Sequence, residues 1–206
     1  MPQLFPDSPL SLVSGALDAL PKHALSETPW PDEHPKPEVR FALAYHNDCL
    51  FLKYDVREST VRATYLNTND PVYRDSCVEF FVAFNGEEAY YNLEFNSLGT
   101  CLAGFGRDRH HRKLLSETTI SKIRRLGSSK AVSPALRQVS WQLTLAIPAA
   151  VFSEHLLTDF TGMRARANIY KCGDDLPAPH YLAWSPIQSP QPNFHLPGFF
   201  GEIKFI

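Results

Sequence analysis

Seven side chains that form directional hydrogen bonds recur on one face of three predicted strands. They are Glu79, Asn92, Glu94, Asn96, Arg166, Asn168 and Tyr170. Carboxylates, amides and guanidinium groups can hold hydroxyl groups at defined angles, as recognition of a sugar requires. Tyr73, before the first strand, and Trp184, after the last, offer rings on which a sugar face can stack. The same pattern also fits the solvated face of an antiparallel sheet, so the residues alone leave both interpretations open.

Glu79 and Glu94 lie on neighbouring predicted strands, which raises a second kind of chemistry. A glycosidase uses two carboxyl groups that are about 5–5.5 Å apart in retaining enzymes and about 6.5–9.5 Å apart in inverting ones. A non-catalytic site also uses carboxylates to hold hydroxyl groups, and the sequence offers no third feature of catalysis. Hydrolysis by these two residues therefore stays an alternative.

Basic side chains are concentrated in residues 104–113. From Arg107 to Arg125 the sequence has seven Lys or Arg and two Asp or Glu. The stretch is interpreted as a solvated loop or as a loop that brings Arg107 or Arg109 over the sheet face to a ligand. Nucleic-acid binding is the third interpretation, and the lack of interleaved aromatic residues disfavours it.

Two cofactors are considered. A turn with Asn85, Glu87 and Glu88 offers hard oxygen ligands for calcium, although exposed acidic turns usually bind nothing strongly. Haem is considered only because related sandwich domains carry it, which is an argument from fold alone. Met1 and Met163 are the only methionines, so a Met/His axial pair is poorly supplied.

The cysteines form no CxxC pair, which predicts four reduced, buried thiols at Cys49, Cys77, Cys101 and Cys172.

Alternation of apolar and polar residues predicts the strands that position these side chains. The predicted strands cover residues 39–45, 50–57, 75–85, 89–97, 140–147, 164–172 and 201–206. The turn at Asn85-Gly86 should join its two flanking strands into an antiparallel pair. Helix is expected only at residues 14–20 and 149–155. The predicted fold is an all-β antiparallel sandwich of two packed sheets, jelly-roll or immunoglobulin-like, with minor helix.

Length and composition indicate one domain over residues 1–206, with residues 1–38 as an N-terminal extension packed on the sandwich. A formal net charge of -2 points to neither nucleic acid nor membrane as a partner. The first seven residues lack the basic and apolar regions of a signal peptide. The expected location is therefore cytoplasmic, unless a leader has been removed.

Several of these segments together resemble the family 9 carbohydrate-binding modules. They are residues 73–82, 90–96, 141–148, 184–186 and 194–203, which occur in the family's order within residues 39–206. The resemblance implies a β-sandwich that clamps a terminal sugar between two rings, here Tyr73 and Trp184, often with calcium nearby. It also implies that Glu79 binds hydroxyl groups. Asn92 stands near the position of an expected arginine, and Tyr73 replaces a tryptophan.

The resulting prediction is non-catalytic binding of a mono- or oligosaccharide in glycan or plant-polysaccharide catabolism, alongside glycoside hydrolases. A hydrolase, a protein-interaction domain and a haem-binding domain are the alternatives. The predicted ligand-binding residues are Tyr73, Arg74, Glu79, Asn92, Glu94, Arg107, Arg109, Asn168 and Trp184. No catalytic or metal-binding residue is assigned, and calcium is left open.

Overall fold

Two antiparallel sheets make up most of the computed structural model, which describes residues 7–133 and 138–206. The helices are α1 (Leu10–Asp18) and α2 (Glu117–Ile120), and short 3-10 turns cover Val72–Arg74, Ala149–Val151 and Pro197–Phe199. The strands are β1 (His23–Ala24), β2 (Glu38–His46), β3 (Cys49–Glu58), β4 (Cys77–Phe84), β5 (Tyr90–Asn96), β6 (Cys101–Gly106), β7 (Lys113–Leu114), β8 (Arg124–Ser133), β9 (Gln138–Pro148), β10 (Arg164–Cys172), β11 (Tyr181–Ala183) and β12 (Gly201–Lys204). The predicted sandwich of two antiparallel sheets is confirmed.

One sheet has five strands in the order β1-β2-β3-β9-β8. Alternate residues of β3, such as Leu52 and Tyr54, point into the main core between the sheets. Phe51 points the other way and is also buried, because α1 packs Val13 and Leu17 against that outer face. The N-terminal segment thus covers part of this sheet, while residues 1–6 of the predicted extension lie outside the described residues.

The other sheet follows the order β11-β10-β4-β5-β6-β7, and β12 pairs with β10 beside β11. Its inner face fills the main core with apolar side chains, among them Phe80, Phe84 and Tyr91. Every residue of β4 and of β5 is buried, on both faces of the sheet. The central strands therefore lie beneath a second layer on their outer side.

The prediction of an exposed polar sheet face is wrong. Six of the seven polar residues proposed for it are buried, and only Arg166 is partly buried. Two segments with little regular structure, residues 61–76 and 185–200, cover this face and pack Val72, Ile187, Phe194 and Phe200 against it. Both segments lack the two-residue apolar period of a strand, so the pattern did not reveal this outer layer.

Several local predictions also need correction. The first helix begins at Leu10 rather than Ser14, and only a 3-10 turn forms at Ala149–Val151. The basic stretch begins inside strand β6, which ends at Gly106. Strands β1, β6, β7, β8 and β11 were not predicted, because they are very short or their sequences do not alternate cleanly. None of the helices in the described part of the chain has the length and apolar character that a membrane crossing requires.

Candidate functional site

A small cavity of about 70 Å³ opens on the outer side of the seven-stranded sheet. It lies over β4, β5 and β10. The loop after β6 bounds it on one side, and residues 185–200, called the covering segment from here on, bound it on another. The residues that line it are Tyr73, Glu79, Glu94, Arg109, Arg112, Cys172, Asp174, Tyr181, Pro192, Asn193, Phe194 and His195. Carboxylates, guanidinium groups and aromatic rings thus converge on one open cavity.

The two glutamates come together through the register of the β4–β5 hairpin. Glu79 and Glu94 are Cα partners in that pairing. Residues directly opposite in an antiparallel pair have Cβ atoms about 4.5–5.5 Å apart and point to the same face. Both side chains are almost fully buried. The fold therefore holds two carboxyl groups side by side, away from bulk water.

Glu94 has one satisfied carboxylate oxygen and one unsatisfied oxygen. Its Oε1 accepts hydrogen bonds from Asn92 Nδ2 at 2.9 Å and from Arg112 Nη1 at 3.3 Å. Its Oε2 is buried and has no hydrogen-bond partner among the described residues. Leaving a buried acceptor unpaired costs about 1–3 kcal/mol, so this oxygen marks a place where a ligand donor would be stabilising.

Burial raises the pKa of both carboxyl groups. The pKa of Glu79 lies well above its usual value because the side chain is buried and because Glu94 is close. Burial raises the pKa of Glu94 to about 7, while Arg112 opposes the shift. The Oε1 atom of Glu79 accepts a hydrogen bond from Cys172 Sγ at 3.0 Å, which opposes the upward shift of the Glu79 pKa. Both carboxyl groups therefore hold a proton more readily than an exposed glutamate does.

A histidine connects the covering segment to the sheet at the edge of the cavity. His195 Nε2 lies 3.0 Å from Arg112 Nη1, and His195 Nδ1 lies 2.8 Å from the hydroxyl of Tyr90. Because the guanidinium can only donate, Nε2 accepts and Nδ1 carries the proton toward Tyr90. Burial, together with Arg112, lowers the pKa of His195 to about 3, so the ring stays neutral.

Aromatic packing fixes the covering segment beside the cavity. The rings of Tyr170 and Phe194 are stacked 4.1 Å apart, and the Tyr170 hydroxyl donates to the Phe194 carbonyl. Tyr73 and Tyr181 line the cavity and are only partly buried. The cavity therefore has two tyrosine rings that a ligand can reach.

The sequence carries the signature of a known family. The model of carbohydrate-binding family 9 matches residues 13–205, nearly the whole chain. The chain belongs to carbohydrate-binding family 9. A solved structure from Bacteroides uniformis, assigned as a carbohydrate-binding protein, is 37% identical, with a TM-score of 0.86, and the match covers 95% of this chain and 90% of that one.

Two family 9 modules from Caldicellulosiruptor kristjanssonii share the fold. The module in complex with glucose has a TM-score of 0.55 at 13% identity, and the match covers 99% of this chain and 91% of that one. The module in complex with cellotriose has a TM-score of 0.56 at 12% identity, with coverages of 93% and 85%. No curated protein matches the chain significantly.

Four of the predicted site residues of this family 9 chain line the cavity: Tyr73, Glu79, Glu94 and Arg109. Asn92 lies behind them and orients Glu94 through the 2.9 Å hydrogen bond. A Cβ atom at position 104 would lie 3.0 Å from Asn92 Oδ1, so Gly104 leaves room for that amide. Asn92 thus belongs to the site as a support of the carboxylate.

The other four predicted residues lie elsewhere. Asn168 uses its amide to bind the backbone of Ser185, accepting at 2.9 Å and donating at 3.0 Å. Arg74 is exposed and lies over the Tyr73 ring, 6.0 Å from its centroid, outside the lining of the cavity. Arg107 is exposed and also lies outside the lining.

Trp184 lies on the opposite side of the sheet from Tyr73. Its ring contacts Phe41 and His23 of the five-stranded sheet at centroid distances of 6.0 and 6.4 Å. Ala183, the last residue of β11, packs on the outer face, whereas Trp184, the next residue along the chain, packs against the main core between the sheets. The family-based expectation of a clamp between Tyr73 and Trp184 is therefore not met by this geometry.

Sequence reasoning missed several residues of the site, notably Arg112, Asp174, Tyr181 and His195. Arg112 lies in the basic stretch already noted, and His195 lies in a segment used for the family resemblance. No local pattern separated them from their neighbours, since their roles depend on how distant segments fold over β5.

The turn considered for calcium does not fit the ion well. Glu87 Oε1 lies 3.4 Å from His155 Nε2, which directs this carboxylate to the histidine. Among the described residues, this turn brings no three acidic, histidine or cysteine ligands together. We therefore assign no calcium ligand to Asn85, Glu87 or Glu88.

Proposed function

We propose that this chain binds a sugar non-covalently in the cavity above Glu79 and Glu94. The observation that carries the proposal is the buried Glu94 Oε2 atom, which lacks a hydrogen-bond partner among the described residues and belongs to a cavity-lining side chain. A sugar hydroxyl is a donor of the right size for this oxygen. Family membership supports the same conclusion.

The paired carboxyl groups suit a ligand that both donates and accepts. A protonated carboxyl group donates to a hydroxyl oxygen and an ionised one accepts from a hydroxyl hydrogen, and the pKa of Glu94, about 7, makes both forms of that group available near neutral pH. Arg112 and Arg109 add donors at the edge. A sugar presents adjacent hydroxyl groups of this kind, whereas a purely anionic ligand would be repelled by Glu94.

The aromatic part of the site is Tyr73 together with Tyr181. Both rings line the cavity and are partly exposed, and either can stack against the C–H face of a sugar. The small volume of the cavity, with buried carboxyl groups at its base, favours the end of a chain or a free sugar over an internal stretch of polymer. We therefore place the predicted aromatic contacts on these two tyrosines.

Glucose and cellotriose are the first ligands to test, because family 9 modules of the same fold are known in complex with them. Binding of such a fragment would fit a role in polysaccharide catabolism. Hydrolysis remains the competing function, because two glutamates lie directly opposite each other beside the cavity and glycosidases use a pair of carboxyl groups.

Calorimetry with glucose and cellotriose tests the proposal. We expect saturable binding to the wild-type chain and a loss of about tenfold in affinity for Tyr73→Ala, since a stacked ring contributes roughly 0.5–1.5 kcal/mol beyond its buried area. Glu94→Gln should weaken binding further, because the charged acceptor is removed. Trp184→Phe is the matched control and should leave affinity unchanged.

Three outcomes would contradict the proposal. Equal affinity of Tyr73→Ala and wild type, with loss in Trp184→Phe, would move the site to the other side of the sheet. Release of new reducing ends from cellotriose would make the chain a hydrolase. A lack of binding to any member of a broad glycan array would favour an interaction domain.

A further inference from the structure

Two thiols and a carboxyl group meet at the base of the cavity. Cys77 and Cys172 are Cα partners on the neighbouring strands β4 and β10, and both are buried. Glu79 lies two residues along β4 and points to the same face. Its Oε1 lies 3.0 Å from Cys172 Sγ and 4.0 Å from Cys77 Sγ. These three donor atoms all lie within 4.8 Å of one another.

This donor set matches what zinc-class ions require. Zinc bonds to thiolate at about 2.3 Å and to carboxylate at about 2.0–2.2 Å in tetrahedral sites, which places neighbouring donors about 3.5–4 Å apart. The donors here span 3.0 to 4.8 Å. Small side-chain rotations would therefore bring all three into bonding distance of one ion.

We propose that Cys77, Cys172 and Glu79 bind one soft divalent cation of the zinc class, with its fourth position directed to the cavity. Glu79 and Cys172 line the cavity, so an ion and a completing water can enter from that side. The site goes beyond sugar binding, since nothing in the recognition of hydroxyl groups requires sulfur.

The surroundings of the cluster are acidic, which favours a cation. Besides burial, Glu94 and Asp174 raise the pKa of Glu79, and Arg112 opposes them. Two thiolates, one carboxylate and one divalent cation would leave a single negative charge, whereas the same three ionised ligands without the ion would carry three.

Metal binding must displace the protons of the two thiols, because the thiolate is the ligand. Burial raises the pKa of Cys77 to about 12 and that of Cys172 well above its ordinary value. Each metal–sulfur bond therefore forms as one thiol proton leaves for solvent, so affinity must increase with pH.

Sulfur donors also set the selectivity of the site. Calcium and magnesium prefer oxygen ligands, whereas thiolates favour zinc, cadmium and related ions. A carboxylate oxygen of Glu79 that coordinates the cation is no longer free to form a hydrogen bond with a sugar hydroxyl. If the proposed sugar site is correct, the two ligands should therefore compete.

Titration with cadmium chloride tests the site in the full chain, kept reduced with a non-chelating phosphine. We expect one Cd²⁺ per chain, with the ultraviolet absorption of thiolate-to-cadmium charge transfer and with release of protons. Excess calcium should not remove that absorption. A reduced wild-type chain that shows no charge-transfer absorption would overturn the proposal.

Cysteine variants locate the ion. Cys77→Ala and Cys172→Ala should lose the absorption, whereas Cys49→Ala and Cys101→Ala should keep it, because those two thiols are equally buried but lie outside the cluster. The opposite pattern would overturn the assignment. If the first two variants fail to fold, Glu79→Gln provides the test, with Cd²⁺ affinity reduced by about tenfold or more while the absorption persists. Cadmium binding without any sugar binding would separate this proposal from the proposed function.

Discussion

Two buried clusters of charged groups lie on opposite faces of strand β10, and they are built on different principles. Lys171 points between the sheets, where its Nζ lies 3.0 Å from Glu58 Oε2. Cys172, the next residue, points outward to Glu79 and Glu94. The inner cluster pairs opposite charges, while the outer cluster places two acids side by side.

The inner cluster is well supplied with partners. Glu58 Oε1 accepts a hydrogen bond from Trp141 Nε1 at 2.6 Å, and Lys171 Nζ lies 2.8 Å from His180 Nε2. Lys171 also donates to the backbone carbonyl of Cys172. Burial and Lys171 lower the pKa of His180 to about 3, so this ring is a neutral acceptor. Such a cluster stabilises one arrangement and leaves little for a ligand to add.

The outer cluster differs in how its buried oxygen is compensated. Neither Glu58 Oε2 nor Glu94 Oε2 has a hydrogen-bond partner among the described residues, but Glu58 Oε2 lies 3.0 Å from the Lys171 ammonium, whereas Arg112 contacts the other oxygen of Glu94. Glu94 also lines the cavity, with Arg109 and Arg112 at its edge, so a ligand can supply the missing partner. The comparison teaches that burial of charge alone does not mark a site, whereas a buried oxygen that lacks a direct cationic partner and belongs to a cavity-lining side chain does.

Breaking the inner pair should have the largest effect on stability. Lys171→Met leaves Glu58 buried and unpaired, which should reduce the free energy of unfolding by about 3–5 kcal/mol. Denaturant unfolding measures the change. The double variant Lys171→Met/Glu58→Gln should recover much of the loss, because no uncompensated charge remains. A single variant as stable as wild type would mean that Glu58 takes up a proton or reaches water.

The outer pair should make stability depend on pH in the opposite sense to ordinary carboxylates. The pKa of Glu94 rises from 4.5 to about 7 in the folded chain, so the native state keeps a proton that the unfolded chain has released. Stability should therefore decrease as pH rises from 4.5 to 7, by an amount on the order of 1–3 kcal/mol. Glu79, Arg109 and Arg112 face this carboxyl group and modulate the shift.

Glu94→Gln should flatten that part of the pH profile, measured as the free energy of unfolding at several pH values. Glu202→Gln is a suitable control, because Glu202 is an exposed carboxyl group whose pKa is lowered by Lys204. Stabilisation from Glu202 is lost as pH falls, which is the opposite sign. An unchanged slope in Glu94→Gln would show that Glu79 alone holds the proton.

The strands of this molecule could be predicted because each side chain alternates between two faces, and that alternation is local. The approach of Glu79 to Glu94 followed from the same reasoning, since one tight turn joins their strands. Burial of the outer face could not be predicted, because residues 185–200 cover it without any periodic pattern. The position of Trp184 could not be predicted either, since a shift of one residue along a strand reverses the face to which a side chain points.

The smallest expected effect concerns the cations at the edge of the outer cluster, and two arginines in one loop provide a matched pair. Arg109 lines the cavity and lowers the pKa of Glu94, while Arg107 is exposed outside it. Because exposed charges interact by about 0.2–1 kcal/mol, Arg109→Ala should weaken binding of glucose or cellotriose only about two- to fivefold. Arg107→Ala should leave the affinity unchanged, as measured by calorimetry at low and high salt. Equal losses in the two variants would mean that the loop acts through its general charge. The outer cluster would then have no specific cation comparable to Lys171, which pairs with Glu58 in the inner cluster.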